Sequence, residues 1–130
     1  MIALETHEFA WAAGFIDGEG SFCFLPGKRT KSGSIHGGIK FSVAQVDRRV
    51  LDRLHKALGG FGNVNGPHGP YTNGPRLGQY QYQVSNFERV QQIVCLTWKY
   101  LSPIKREQAK KALMLARMSP AERAVALGGK

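Results

Sequence analysis

Between positions 10 and 20 the chain gathers very small side chains on one helical stripe, then abandons the helical period within two residues. Ala10, Ala13, Gly14 and Gly18 recur at the spacing of a helix face, while Phe9, Ala12 and Ile16 form a second, core-facing stripe. Glycine inside a helix costs about 1 kcal/mol relative to alanine, so Gly14 needs a packing reason. Close approach of a second helix backbone is such a reason. The helix is expected over about residues 7–17, with Thr6 as N-cap. From Ser21 the period is two: Phe22 and Phe24 alternate with Ser21, Cys23 and Leu25, which reads as a strand. A small-residue helix that runs through Asp17-Gly18-Glu19-Gly20 straight into a strand leaves few folds open.

The rest of the chain repeats that grammar. Residues 26–34 hold Pro, Gly, Ser and the bases Lys28, Arg29 and Lys31, a hairpin tip. A second strand over 36–45 puts Ile39, Phe41 and Val43 on one face and His36, Gly38, Lys40 and Ser42 on the other. Asp47 caps a helix with Val50, Leu51, Leu54 and Leu58 inward, stopped by Gly59. A third strand is expected around 61–65, a Gly- and Pro-rich tip over 66–78, and a fourth strand over 79–85. Asn86 caps a helix to about Tyr100, and Ser102-Pro103 opens another to about Met118. Ser119, Pro120 and Glu122 fit a capping box for a short last helix. The order is αββαββα with trailing helices. We expect one α+β domain over 1–130, its core about 6–118 and 119–130 a short helix or tail, with an antiparallel sheet covered by helices on one face.

Charge narrows the function. The 18 Lys and Arg outnumber the 9 Asp and Glu for a net +9. Glu5, Glu8, Asp17 and Glu19 all precede the first basic residue, Lys28, so the chain beyond them carries +13. That asymmetry points to a polyanion-binding surface, with an acidic segment kept for other work. Cys23 and Cys95 are isolated, and no Cys or His spacing suggests a zinc site. No apolar run approaches the roughly 18 residues of a membrane span, and the N-terminus lacks a signal-peptide pattern. The expectation is a cytoplasmic (bacterial or phage) or organellar protein, neither secreted nor membrane-bound.

The polar face of the expected sheet suits a nucleic-acid groove. Gln79, Gln81 and Gln83 form a period-two ladder of amides beside Lys40 and Ser42, with Arg29, Lys31 and Arg76 near the strand tips. Gln can donate and accept at an adenine edge, and Arg or Lys pairs with guanine acceptors. Basic residues at the rims hold phosphates. A solvated sheet face with no ligand has similar polarity, and the charge asymmetry favours the groove reading.

Residues 12–22, Ala-Ala-Gly-Phe-Ile-Asp-Gly-Glu-Gly-Ser-Phe, resemble the motif of the LAGLIDADG homing endonucleases in its variant form AGFIDGEGSF. Seven of nine motif positions match by identity or close similarity; Ala12 and Phe15 stand where the motif has Leu. Val43-Ala44-Gln45-Val46-Asp47 resembles the family's Gln-x-Asp segment, and Leu101-Ser102-Pro103-Ile104-Lys105 the segment bearing a late active-site Lys. The resemblance spans roughly residues 8–115, and the family's fold implies a saddle-like sheet.

It implies that the motif helices of two units pack side by side and deliver acids to the centre of a DNA site. With one motif per chain, the chain resembles the homodimeric kind, and Ala10, Ala13, Gly14, Asp17 and Gly18 would line the interface under two-fold symmetry. Glu19 takes the position of the metal-binding acid for Mg²⁺ or Mn²⁺, with the Gly18 carbonyl a further ligand. Asp17 becomes mainly structural, capping the partner helix. Gln45 and Lys105 match peripheral active-site residues that position water and stabilise phosphate charge, with Arg48 adding positive charge nearby. His36 is expected at DNA.

The expected function is a homing endonuclease cutting both strands of a long pseudo-palindromic double-stranded site, encoded in an intron, an intein or a free-standing mobile element. Two non-enzymes compete: an RNA maturase, for which intron RNA is the partner, and a DNA-binding regulator. Retained Glu19, Gln45 and Lys105 weigh against pure binding. A ribosomal-type RNA-binding protein accounts for the charge but not for the small-residue helix.

Overall fold

The computed structural model describes residues 2–68 and 78–128. The chain runs α1 (Ile2–Glu19), β1 (Gly20–Arg29), β2 (Ile35–Gln45), α2 (Arg48–Ala57), β3 (Asn63–His68), β4 (Gln79–Val84), α3 (Phe87–Thr97), a 3-10 turn (Trp98–Tyr100), α4 (Pro103–Arg117) and α5 (Pro120–Ala126). This is the expected α+β order. The helix starts read from the sequence hold for a local reason: each cap side chain accepts a backbone N–H that helix geometry leaves unpaired. Asp47 accepts from Arg49 N, Asn86 from Arg89 N and Ser102 from Lys105 N, and Ser119 with Glu122 forms a full capping box. Thr6 is the exception. Helix α1 begins at Ile2, so Thr6 lies inside it and is not its N-cap.

The four strands form one antiparallel sheet in the order β1-β2-β4-β3. The two hairpins meet through β2 and β4, leaving β1 and β3 as edges. Pleating sends Phe22, Phe24, Ile39, Phe41, Val43, Tyr82 and Val84 to one face, all buried. Against them pack Ala12, Ala13 and Ile16 of α1, Leu51 and Leu54 of α2, and Val90 and Ile93 of α3. Fully burying a side chain of this size stabilises by about 1.5–3 kcal/mol, which makes this layer the source of the fold's stability. Tyr82 is buried whole; its hydroxyl donates to Phe61 O at 2.8 Å, and burial raises its pKa. Phe9, expected in the core, is only half-buried.

The C-terminal segment is part of this body. Arg123 is 9% exposed, lies over Phe24 and donates to the carbonyls of Leu115, Ala116 and Ile35. Through it α5 is pinned to both α4 and β2. Among the described residues, no helix is long and apolar enough to cross a membrane.

Candidate active site and nucleic-acid interface

The joint between α1 and β1 has no slack. A Cβ on Gly20 would lie 3.0 Å from Ile16 Cγ2 and 3.1 Å from the Ile16 carbonyl oxygen, so any larger residue here would have to push the joint open by a few tenths of an ångström. The consequence is that Glu19, the last helical residue, projects at the end of the sheet. Its side chain is exposed and makes no hydrogen bond or ion pair among the described residues.

Three elements converge on that joint. Lys105, in the first turn of α4, donates from Nζ to the Gly20 carbonyl at 2.7 Å. Gln108, one turn later, accepts the Phe22 N–H through Oε1 at 2.8 Å, and the same oxygen lies 3.5 Å from Lys105 Nζ. Because both neighbours are donors, the amide oxygen must face them. On the other side, Gly20 pairs with Val43 of β2, so Gln45, two residues further along, ends β2 beside the joint. Gln45 pairs in turn with Tyr80, over whose ring the Arg48 guanidinium sits at 5.7 Å while Arg48 Nε contacts Asp52 at 3.4 Å. Glu19, Gln45, Lys105 and Arg48 therefore share one end of the sheet.

Asp17 makes its contacts within its own chain. Both its carboxylate oxygens accept the Ser102 N–H of the same chain, at 3.0 and 3.2 Å. It ties α1 to the start of α4. Ala13 is reassigned: it is fully buried within its own chain and cannot line an interface. The outward stripe of α1 is instead Ala10, Gly14 and Gly18, with nothing within 4 Å of a Cβ built on either glycine. The helical period explains the error, because Ala13 lies one step round from Gly14, toward Ile16 and the core.

The sheet face away from the helices carries Ser21, Cys23, His36, Lys40, Ser42, Gln79, Gln81 and Gln83 in strand alternation. Register aligns Ser21, Ser42, Gln83 and Asn63 in one row, and Ala44, Gln81 and Asn65 in the next. Gln83 Nε2 donates to Gln81 Oε1, so the ladder is internally linked. Asn63 and Asn65 went unnoticed in the sequence. Their signal was the alternation with Val64, which only the pairing with β4 turns into a face. Lys31 is exposed at the β1–β2 tip and His36 is exposed near it. Arg29 does not belong to this face. A register shift between Pro26 and Arg29 sets Arg29 opposite buried Ile35, and its Nη2 donates to Ala124 O of α5 at 3.0 Å. Arg76 lies outside the described residues.

As a metal site a single chain is incomplete. Among the described residues, no group of three or more His, Cys, Asp or Glu could hold an ion. With Asp17 engaged at Ser102, Glu19 remains as the one acid at this joint with no protein partner. A lone carboxylate is an acceptable protein contribution to a Mg²⁺ shell that water and phosphate oxygens complete. The donor set thus fits a divalent ion shared with a nucleic acid and a second acid, and does not fit a self-contained one.

Neither a protein-family model nor a curated protein sequence matches the chain. Solved structures do. The homing endonuclease I-CvuI, in complex with the I-CreI target in the presence of Mg and with its DNA not cleaved, superposes with a TM-score of 0.69 at 22% identity, over 97% of this chain and 85% of that one. The homing endonuclease I-TnaI gives 0.64 at 25% identity, over 83% and 70%. The LAGLIDADG homing endonuclease I-SmaMI, bound to uncleaved DNA in the presence of calcium, gives 0.62 at 28% identity, over 83% of this chain but 36% of that one. The fold is that of the LAGLIDADG homing endonucleases, and residues 12–20 resemble the motif for which they are named.

Proposed function

We propose that this protein is a divalent-metal-dependent, sequence-specific DNA endonuclease that acts as a homodimer. The observation that carries the reading is the joint itself: an exposed carboxylate with no protein partner, Glu19, one residue from a carbonyl that fixes the Lys105 ammonium. A pure binding protein has no use for an unneutralised acid on a phosphate-facing end. Bound Mg²⁺ or Mn²⁺ would neutralise charge on the scissile phosphate and make water acidic enough to attack it. Around it, Glu19 and the Gly18 carbonyl supply oxygens, Gln45 orients the attacking water, and Lys105 with Arg48 offsets charge on the phosphate. No covalent link to the enzyme is needed.

Two copies are the reading this joint favours, since among the described residues it offers one unpartnered carboxylate, Glu19, where cutting two strands calls for two. The outward stripe of Ala10, Gly14 and Gly18 lets two α1 helices approach closely about a two-fold axis and bring their Glu19 ends together. Each sheet face then reads one half-site: Gln79, Gln81, Gln83, Asn63, Asn65 and Ser42 supply amides and hydroxyls for base edges, and Lys40, Lys31 and His36 add positive charge. Structural neighbours crystallised with DNA support this reading.

The test is selection of cleaved sites from a random duplex library with Mg²⁺, comparing wild type with Glu19→Gln and weighing each species by sedimentation. Double-strand cuts at one pseudo-palindromic sequence by a dimeric wild type, absent from Glu19→Gln, are expected. Sequence-specific binding without cleavage by both proteins would sink the nuclease and leave a DNA-binding regulator. Selective retention of structured intron RNA, without DNA cleavage, would favour a maturase.

A further inference from the structure

We propose that Gln108 is a positioning residue for the Lys105 ammonium, and through it for the geometry between Lys105 and Glu19. The proposal rests on the nuclease reading for its catalytic consequence but not for its structural content. Strand β1 is an edge of the sheet, so its outward backbone groups have no neighbouring strand. Two of them, Gly20 O and Phe22 N–H, lie just after Glu19. Helix α4 satisfies both with side chains one turn apart, Lys105 donating to Gly20 O and Gln108 Oε1 accepting from Phe22 N. A pair of side chains thus stands in for a missing strand.

If edge pairing were the whole task, the two side chains could act separately. They do not, because Gln108 Oε1 also lies 3.5 Å from Lys105 Nζ, at the outer limit of a hydrogen bond and close enough for the amide oxygen to attract the ammonium. An ammonium has three donors. Here one is taken by Gly20 O and a second is directed at Gln108, which leaves one for a group arriving beside Glu19. Lysine is a flexible point charge on a four-carbon stem, and two fixed acceptors on the protein restrict where that charge can sit. The first acceptor belongs to the residue next to Glu19, so tethering Lys105 to it holds the ammonium at a fixed distance from the backbone that carries Glu19. Gln108 supplies the second tether and is itself fixed by Phe22 N. It touches no reacting atom and acts only through Lys105.

The experiment compares wild type, Gln108→Leu, Gln108→Glu and Lys105→Met on two readouts. The first is NMR of the Lys105 ammonium, by ¹⁵Nζ order parameter and proton exchange, on the protein without DNA. The ammonium is expected to be restricted in wild type, released in Gln108→Leu, and restricted again in Gln108→Glu, which keeps an acceptor. The second is the single-turnover cleavage rate on the selected site, with DNA affinity measured separately in Ca²⁺. Gln108→Leu should cut about 10–100-fold more slowly, as expected when a charge is misplaced by about an ångström, with affinity within about twofold of wild type. Gln108→Glu should recover most of that rate, and adding Gln108→Leu to Lys105→Met should cost nothing further. An ammonium equally mobile in wild type and Gln108→Leu overturns the proposal whether or not the protein cuts DNA. So do multiplicative losses in the double variant. If wild type cuts nothing, the nuclease reading fails, while the NMR comparison still decides the tether.

Discussion

Replacing Arg123 by Met removes one side chain that serves three carbonyls. Nε donates to Leu115 O at 2.7 Å, Nη2 to Ala116 O at 2.9 Å and Nη1 to Ile35 O at 3.2 Å. Leu115 and Ala116 lie in the last turn of α4, where carbonyls run short of helical donors and a cation complements the helix dipole, although Leu115 O also accepts the Met118 N–H at 3.3 Å. Met retains a stem that can pack on Phe24 but offers no donor. A buried carbonyl left without a partner costs about 1–3 kcal/mol, and with Ala116 O and Ile35 O losing this donor while Leu115 O keeps the Met118 N–H, the set comes to roughly 3–5 kcal/mol. For 130 residues the unfolding entropy is roughly 0.27 kcal/mol/K, at about 2.1 cal/mol/K per residue. The melting temperature of Arg123→Met should therefore fall by about 10–20 °C. Urea unfolding followed by circular dichroism checks the free energy, and Arg123→Lys, which keeps the charge without the planar fork, should fall between the two. A Met variant within about 1 kcal/mol of wild type and with an unchanged m-value would refute the reasoning, because α5 would then be a passenger on the fold.

Three further outcomes follow from the joint and the charged surface. Asp17→Ala should cost about 1–2 kcal/mol by leaving the Ser102 N–H without its acceptor, and should slow cleavage by freeing the start of α4; Asp17→Asn, which keeps an acceptor, should recover most of both in unfolding and rate measurements. Gly20→Ala should destabilise by about 1–3 kcal/mol, since its Cβ would crowd the Ile16 backbone at 3.1 Å and force it to shift; an alanine variant as stable as wild type contradicts the tight joint. Hydrogen bonds from Arg53 to Glu8, from Arg49 to Asp47 and from Ser119 to Glu122 hold these carboxyls below their ordinary range. Groups with depressed values stabilise the fold above their unfolded pKa, near pH 4, and lose that contribution as pH falls through the folded one. Stability should thus drop on the acid side of pH 4, and the drop should shrink in Glu122→Gln; an identical acid profile in that variant would contradict the assignment.

Local chemistry is what the sequence exposed best. Cap residues and period-two strands are decided by groups a few positions apart, so Asp47, Asn86, Ser102 and Ser119 could be read directly, as could the buried faces of β2 and β4. Errors arose where a distant segment decides the outcome. Arg29 is expected at DNA from its place near a strand tip, and the register shift after Pro26 turns it to the helix side, where Ala124 receives it. Ala13 was assigned by size alone, although whether a small residue faces a partner or its own core depends on where the sheet lies. Asp17 was recognised as structural, but its acceptor role needed Ser102, 85 residues away. Gln108 carried no local signal: its meaning comes from Phe22 and Gly20 across the fold. In the candidate site the motif pointed to Glu19, whereas the connection of Lys105 to Gly20 required the packed structure.

An edge strand normally exposes the protein to unwanted pairing, and short strands, charges or covering elements are the usual remedies. Here the cover is α4, and the side chains doing the covering include the one cation closest in bonding to Glu19. Edge protection and charge placement are thus the same contacts. The arrangement predicts a correlated response: perturbing Asp17, Ser102 or Gln108 should loosen the edge of β1 and move Lys105 together, because all three act on the first turns of α4. Substitutions on the opposite face, such as at Gln81 or Lys40, should alter which nucleic acid is held without touching that joint. A chain divided in this way can change its target through the sheet while the joint of α1, β1 and α4 keeps its geometry.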